Sequence, residues 1–406
     1  MKKIAVFAVT MLFLSTLTTI MPAGADSGDK KILEIIESVD ENTLYYYDKT
    51  IQDMGPHPTG SEECNRVADF IYNELKSYGL DVQYFPWEKK GLSGKNIVAT
   101  LPGEDNLTVI ISAHYDSVKV SPGADDDGSG VSCILMAAKI LRNYSFKHTI
   151  KFVLFSGEEQ GLYGSERFVR EMYEKNEMII ADLQLDGVGH AVSNEGGSKI
   201  RISSNGASSL IANEVERMAE EYNNIGLQVI RFRDFPGSDH QSFINYGYKG
   251  VFFLEYEFNP YYHSSGDSIE HVNFTYMAKV CKLASATLAS IADEHISLIA
   301  KIVEPERGGI YFGERKIFSL NDYKIIVIGR ITVGVEIYSS ENVSRVEFYM
   351  DGELRGVDEE IPYEYQYGKI LFFKHHISIV AYGEKDWDMG EMDAYVFNPI
   401  PKYWLK

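Results

Sequence analysis

Residues 107–141 read LTVIISAHYDSVKVSPGADDDGSGVSCILMAAKIL. Leu107 to Ala113 is a short apolar run of the kind that forms a buried strand. Pro122 to Gly130 is a glycine-rich turn, and Val131 to Leu141 is long and apolar enough for a covered helix. Further strands are expected at Asn96 to Leu101, Ile150 to Phe155, Asp182 to Leu185, Lys199 to Ser203, Leu227 to Phe232 and Val251 to Glu255, with a second helix over Leu210 to Tyr222. Upstream, Ser61 is placed to cap a helix whose Val67, Ile71 and Leu75 fall on one face. Strands alternating with helices predict an α/β fold, a mostly parallel mixed sheet flanked by helices. In such sheets ligands collect beyond the carboxyl ends of the strands.

Those ends carry the acids and imidazoles. His114 and Asp116 close the first run, Asp125, Asp126 and Asp127 fill the glycine-rich turn, Glu158 and Glu159 follow Ile150 to Phe155, and Asp186 follows Asp182 to Leu185. His263 ends the triplet Tyr261-Tyr262-His263. Imidazole nitrogen and carboxylate oxygen suit zinc where thiolates are absent, so the set reads as a two-metal hydrolytic site. One carboxylate of the acidic turn is expected to bridge two cations about 3.5 to 4 Å apart. Side chains two apart on a strand share a face, so Asp116 is expected to sit behind His114 and accept its second ring N–H. Adjacent Glu158 and Glu159 point different ways. One is expected to bind metal while the other takes a proton from water.

The segments His114-Tyr115-Asp116-Ser117, Gly123 to Gly130, Gly157 to Ser165, Gln184-Leu185-Asp186, Ser238-Asp239-His240 and Tyr262-His263-Ser264 resemble the MH-clan zinc aminopeptidases. That superfamily also holds glutamate carboxypeptidase, glutaminyl cyclase and a transferrin-receptor branch that has lost its ligands. The resemblance covers roughly Asp26 to Glu304. It implies a secreted aminopeptidase with two zinc ions, other divalent metals being alternatives. His114 and His263 would be terminal ligands, Asp126 the bridge, Glu159 and Asp186 the remaining ligands and Glu158 the general base. Tyr262 would steady the oxyanion, with Asp116, Asp127 and Ser238 behind the ligands. Relatives also hold the bridging acid in a cis peptide, here Asp126-Asp127. One departure is Pro236-Gly237, where some relatives carry an arginine. A carboxypeptidase of the superfamily would need arginines aimed at a terminal carboxylate, and Arg231 and Arg233 lack that motif context. Cyclase relatives lose the consecutive aspartates and the Gly-Leu-Tyr-Gly-Ser run, both kept here.

The rest of the chain agrees with a secreted enzyme. Lys2 and Lys3 precede an apolar run, Ile4 to Met21, and Ala23-Gly24-Ala25 follows, so a signal peptide over residues 1–25 with cleavage after Ala25 is expected. A formal net charge of -20 argues against nucleic acid as a partner. Cys64, Cys133 and Cys281 show no metal spacing and are expected as buried thiols. Past Glu304 the pattern turns to short apolar runs, at Tyr323 to Ile328, Ile331 to Tyr338, Val343 to Met350, Lys369 to Phe373 and Ile377 to Tyr382, with a hairpin signal at Asp351-Gly352. Residues 305–406 are expected to form a small all-β sandwich. They resemble the immunoglobulin-like modules of secreted enzymes, and would serve a surface or another protein and be dispensable for the chemistry. His375 and His376, neighbours on a strand, point to opposite faces and are read as structural, while Tyr395, Phe397, Tyr403 and Trp404 are read as packing aromatics.

Overall fold

The computed structural model describes residues 27–399 apart from 234 and 295. The expected signal peptide, Tyr403 and Trp404 lie outside the described residues. Eight strands, β1 (Asp81–Lys89), β2 (Leu92–Leu101), β3 (Thr108–His114), β4 (Thr149–Phe155), β5 (Ile179–Leu185), β6 (Lys199–Ser204), β7 (Gln228–Arg233) and β8 (Gly250–Glu255), form one sheet in the order β1-β2-β4-β3-β5-β8-β6-β7. Four of its seven pairings are parallel: β3 with β4, β3 with β5, β5 with β8, and β6 with β7. β3 and β5 are buried along their whole length, as strands covered on both faces must be. β1, which lies outside the expected strands, pairs antiparallel with β2 in an unbroken register from Asp81↔Thr100 to Lys89↔Leu92. Its Pro86 and the charged residues at its ends, Asp81, Glu88 and Lys89, mask the strand pattern, and an edge position tolerates both.

The covering helices are α1 (Ser27–Glu37), α2 (Glu41–Gln52), α3 (Glu62–Ser77), α4 (Gly128–Leu141), α5 (Tyr163–Glu174), α6 (Ser209–Glu221), α7 (His240–Asn245) and α8 (Phe274–Asp293). Ser61 caps α3 as expected, accepting the Cys64 N–H at 3.0 Å. α4 begins three residues earlier than its apolar pattern, because the Asp127 carboxylate accepts the Gly130 N–H at 3.0 Å and so starts the helix inside the acidic turn. Cys64, Cys133 and Cys281 are buried and free. Among the described residues no helix is long and apolar enough to cross a membrane.

Beyond α8 the chain is all β. Strands β9 (Leu298–Glu304), β10 (Gly309–Phe312), β11 (Arg315–Ser319), β12 (Ile325–Ile328), β13 (Ile331–Ser339), β14 (Arg345–Met350), β15 (Glu353–Asp358), β16 (Glu364–Tyr367), β17 (Leu371–Tyr382) and β18 (Trp387–Asn398) make a seven-stranded sheet, β11-β10-β12-β18-β17-β14-β15, and a three-stranded one, β16-β13-β9. Both contribute to one apolar cluster that includes Ile302, Val333, Phe348 and Ile379. The Asp351-Gly352 hairpin joins β14 to β15, with both residues at positive φ, 54° and 78°. The two runs expected around Phe373 and Ile377 are one strand, β17. His375 bonds Asp351 through Nδ1 at 2.7 Å, whereas His376 faces the α/β part.

The two parts are locked by polar contacts that the sequence pattern does not announce. Lys249 reaches Asp388 at 2.9 Å with both side chains largely buried. Asn205 donates to Glu391 at 2.9 Å. Arg307 is buried and donates to the carbonyls of Asn245 at 2.9 Å and Glu391 at 2.8 Å, tying the end of α7 to β18.

Candidate metal centre

β3, β4, β5 and β8 end at the same edge, and the loops that leave them bring five donors together. His114 is the last residue of β3, so its ring stands at the sheet rim. Its Nε2 lies 3.2 Å from Asp126 Oδ1 and 3.5 Å from Asp186 Oδ1. His263 Nε2 lies 3.2 Å from Asp126 Oδ2 and 3.1 Å from Glu159 Oε2. Two triads therefore share Asp126, one carboxylate oxygen to each: His114, Asp126 and Asp186, then Asp126, Glu159 and His263. The Asp126-Asp127 peptide is cis. His263 adopts a left-handed conformation, φ 56°, uncommon for a residue with a side chain.

The donor set fits a pair of zinc ions. A tetrahedral ion about 2.0–2.1 Å from its nitrogen and oxygen ligands holds those atoms about 3.3–3.4 Å apart, close to the four separations above. Asp126 Oδ2 is buried without a hydrogen-bond partner, an oxygen that a cation between it and His263 Nε2 would satisfy. Glu159 Oε1 is buried with no hydrogen-bond partner. Burial raises the Glu159 carboxyl to about 7, with Asp126 adding to the shift. Burial also works against ionised Asp126, but the close approach of His114 and His263 wins and brings it down to about 2. Three carboxylates, Asp126 buried and Glu159 and Asp186 part-buried, facing two imidazoles are a charge excess that cations would offset.

Glu158 sits beside the triads and in neither. Burial, with Asp239 and Asp186 adding to it against the opposing pull of His114, holds its carboxyl well above the ordinary glutamate range. Tyr262 is half exposed, its ring stacked on that of His263 at 3.7 Å. Asp127 supports the ligands from behind: Oδ2 accepts the His114 N–H at 3.1 Å and Oδ1 accepts the Gly187 N–H at 3.3 Å. Ser238 Oγ accepts from Gln184 Nε2 at 3.2 Å. The expectation for Asp116 needs correcting. Its backbone carbonyl, not its carboxylate, takes His114 Nδ1, at 2.9 Å, while the carboxylate stands 3.9 Å away and accepts the Glu158 N–H at 3.2 Å. The same-face argument fails because β3 ends at His114 and the chain turns there.

Asp267, passed over in the sequence, clamps the acidic turn. Its carboxylate accepts the Asp125 N–H at 2.9 Å, the Asp126 N–H at 3.3 Å and the Ser121 hydroxyl at 3.1 Å. Its position four residues after His263 is the one signal that marks it. Asp125 turns away from the triads, accepting from Asn259 Nδ2 and the Gly189 N–H at 2.8 Å each. Asp239 is fully buried beside Glu158, and burial lifts its carboxyl to about 7. Arg231 is occupied by Glu216 at 2.6 Å and Asn213 at 2.6 Å.

Residues 96–288 match the family model for Peptidase family M28. "Leucine aminopeptidase 1" of Uncinocarpus reesii is 32% identical over 233 residues, 51% of this chain and 56% of the relative. The protein of the same name from Coccidioides posadasii is 31% identical over 219 residues, 48% and 55%. The chain thus spans a little over half the length of the curated relatives it matches. Among solved structures, an aminopeptidase from Aneurinibacillus sp. strain AM-1 superposes with TM-score 0.59 at 17% identity, covering 65% of this chain and 97% of that one. The LapA aminopeptidase of Legionella pneumophila gives TM-score 0.60 at 23%, covering 66% and 76%. A glutaminyl cyclase from Bacteroides thetaiotaomicron gives 0.55 at 18%, covering 62% and 98%. At these identities the likeness shows the fold alone. The stretch that matches the model for Peptidase family M28, residues 96–288, is also the one that carries both triads.

Proposed function

We propose that the protein is an exported zinc aminopeptidase that removes the N-terminal residue of peptides at a two-ion centre held by His114, Asp126, Glu159, Asp186 and His263. The sharing of Asp126 between two triads carries the reading, because it is the arrangement by which one carboxylate bridges a pair of ions. Bound zinc supplies Lewis-acid polarisation of the scissile carbonyl and a more acidic water. Glu158 takes the proton of the attacking water as its oxygen bonds the carbonyl carbon, then returns it to the leaving nitrogen as the C–N bond breaks. Tyr262, exposed at the rim, offers its hydroxyl to the oxygen on which charge develops. The carboxylates around the cluster favour a free α-ammonium at the substrate end, and Arg231, already paired, offers nothing to a terminal carboxylate. We read residues 1–25 as the export signal and 305–406, completed by β9 at its start rather than beginning at the expected boundary after Glu304, as an immunoglobulin-like module.

A panel of small peptides tests this. Acetylating the N-terminus should abolish cleavage, while amidating the C-terminus should change little. The opposite pattern assigns a carboxypeptidase, and ammonia release from N-terminal glutamine without peptide cleavage assigns a cyclase.

A further inference from the structure

A cavity of about 440 Å³ lies between the α/β part and the C-terminal sheets, within the usual size of small-molecule sites. None of the metal-centre residues lines it. One wall is the end of β6 with Phe235 and α7; the other is formed by Tyr323, Lys324, Lys374, His376, Asp393 and Tyr395, with Arg307 between them.

The lining is richer in cations than the acidic molecule as a whole. Against a formal -20 for the chain, the wall presents Arg307, Lys324, Lys374 and His376, countered within it by Glu391 and Asp393 and beside it by Asp322, 3.4 Å from Lys324. His376 lies 3.1 Å from Asp393 and 3.7 Å from Glu391, and those acids hold its imidazole protonated, up to about 10. Asp393 is already shared with Lys374 at 2.9 Å. Arg307 is 5% exposed, and its hydrogen bonds go to the carbonyls of Asn245, Ile302 and Glu391. No carboxylate forms an ion pair with it among the described residues. A buried cation answered only by carbonyl dipoles leaves a counter-charge to be supplied. Phe235 and Tyr395, both partly exposed, offer ring faces to the body of a ligand whose charged end meets the cations.

We propose that this cleft is a second binding site, for a small organic carboxylate with an aromatic or apolar body. It is independent of what the metal centre does. Calorimetric titration of the full chain with N-acetylphenylalanine, N-acetylphenylalaninamide and inorganic phosphate tests it. The acid should bind, the amide about tenfold or more weaker, and Lys374→Ala and Lys324→Ala should each weaken the acid about threefold to tenfold with the fold checked by circular dichroism. Equal binding of acid and amide, or acid binding that survives in both variants and so belongs to the metal centre, overturns the proposal. Phosphate binding as tightly as the acid, with the same lysine dependence, overturns the organic ligand and leaves a simple oxyanion site.

Discussion

At the scale of single residues, the proposed function gives adjacent Glu158 and Glu159 different tasks. Glu158→Gln should keep both ions by elemental analysis yet lose roughly 10²-fold or more in turnover, the size of a general-base contribution. Glu159→Gln should lose an ion, because its carboxylate belongs to the His263 triad. Equal metal loss in the two variants would exchange or abolish those roles. Asp267 makes a separate case: it lies outside both triads yet accepts the N–H of Asp126, the proposed bridge, and that of Asp125 before it. Supports of that kind are worth about tenfold to hundredfold in metal affinity. Asp267→Ala should therefore raise the zinc dissociation constant, measured against a competing chelator, with a smaller change in turnover at saturating zinc. Unaltered affinity would make it a packing residue only.

At the scale of elements, the legible parts were those where local chemistry and tertiary position agree. β3, β4 and β5 are apolar because they are covered on both faces, so their ends, and hence His114, Glu158, Glu159 and Asp186, could be placed from the pattern alone. The expectation for Asp116 stopped where the strand stopped, since alternation says nothing once the backbone turns. β1, β9 and β18 are among the strands missed, for a related reason: two edge strands and a strand alternating charged with apolar residues each dilute the apolar signal. α4 shows how closely element and site are joined. A Cβ added at Gly130, in the first turn of α4, would stand 2.5 Å from Asp127 Oδ1 and 2.6 Å from the Leu185 carbonyl. Gly130→Ala should cost about 1–3 kcal/mol in chemical denaturation and disturb the ions as well. A neutral outcome would mean the acidic turn yields easily.

At the scale of the whole molecule, the contacts of Arg307, Lys249 and Asn205 change the expectation that residues beyond Glu304 are dispensable. A chain cut there keeps every ligand but strips α7 of its tie at Asn245, and α7 begins next to Asp239 beside the base. The cut protein should melt at a clearly lower temperature and turn over more slowly while still holding its ions; an unchanged melt would show two independent units. The same interface carries a pH signature. His376 has its folded-state value raised from 6.5 to about 10 by Asp393 and Glu391. Its contribution is therefore fully present below about 6.5 and lost as pH rises through about 10. Half exposure keeps the effect small. The gap in melting temperature between the protein and His376→Asn should narrow from pH 7 to pH 10, and a gap that widens would contradict the assignment.

The sharing of Asp126 also has a kinetic consequence. Its partners lie far along the chain, His263 after seven of the eight strands of the sheet have been made and β8 has been laid between β5 and β6. Neither ion pocket exists in a nascent chain that has not closed those long loops, and such closures are the slow steps of folding. On the two-ion reading proposed above, uptake of the second ion would be a clock on folding. In refolding experiments it should then trail the recovery of helix signal and coincide with the last rise in compactness, so that zinc would act as a lock on the finished molecule rather than a seed for it.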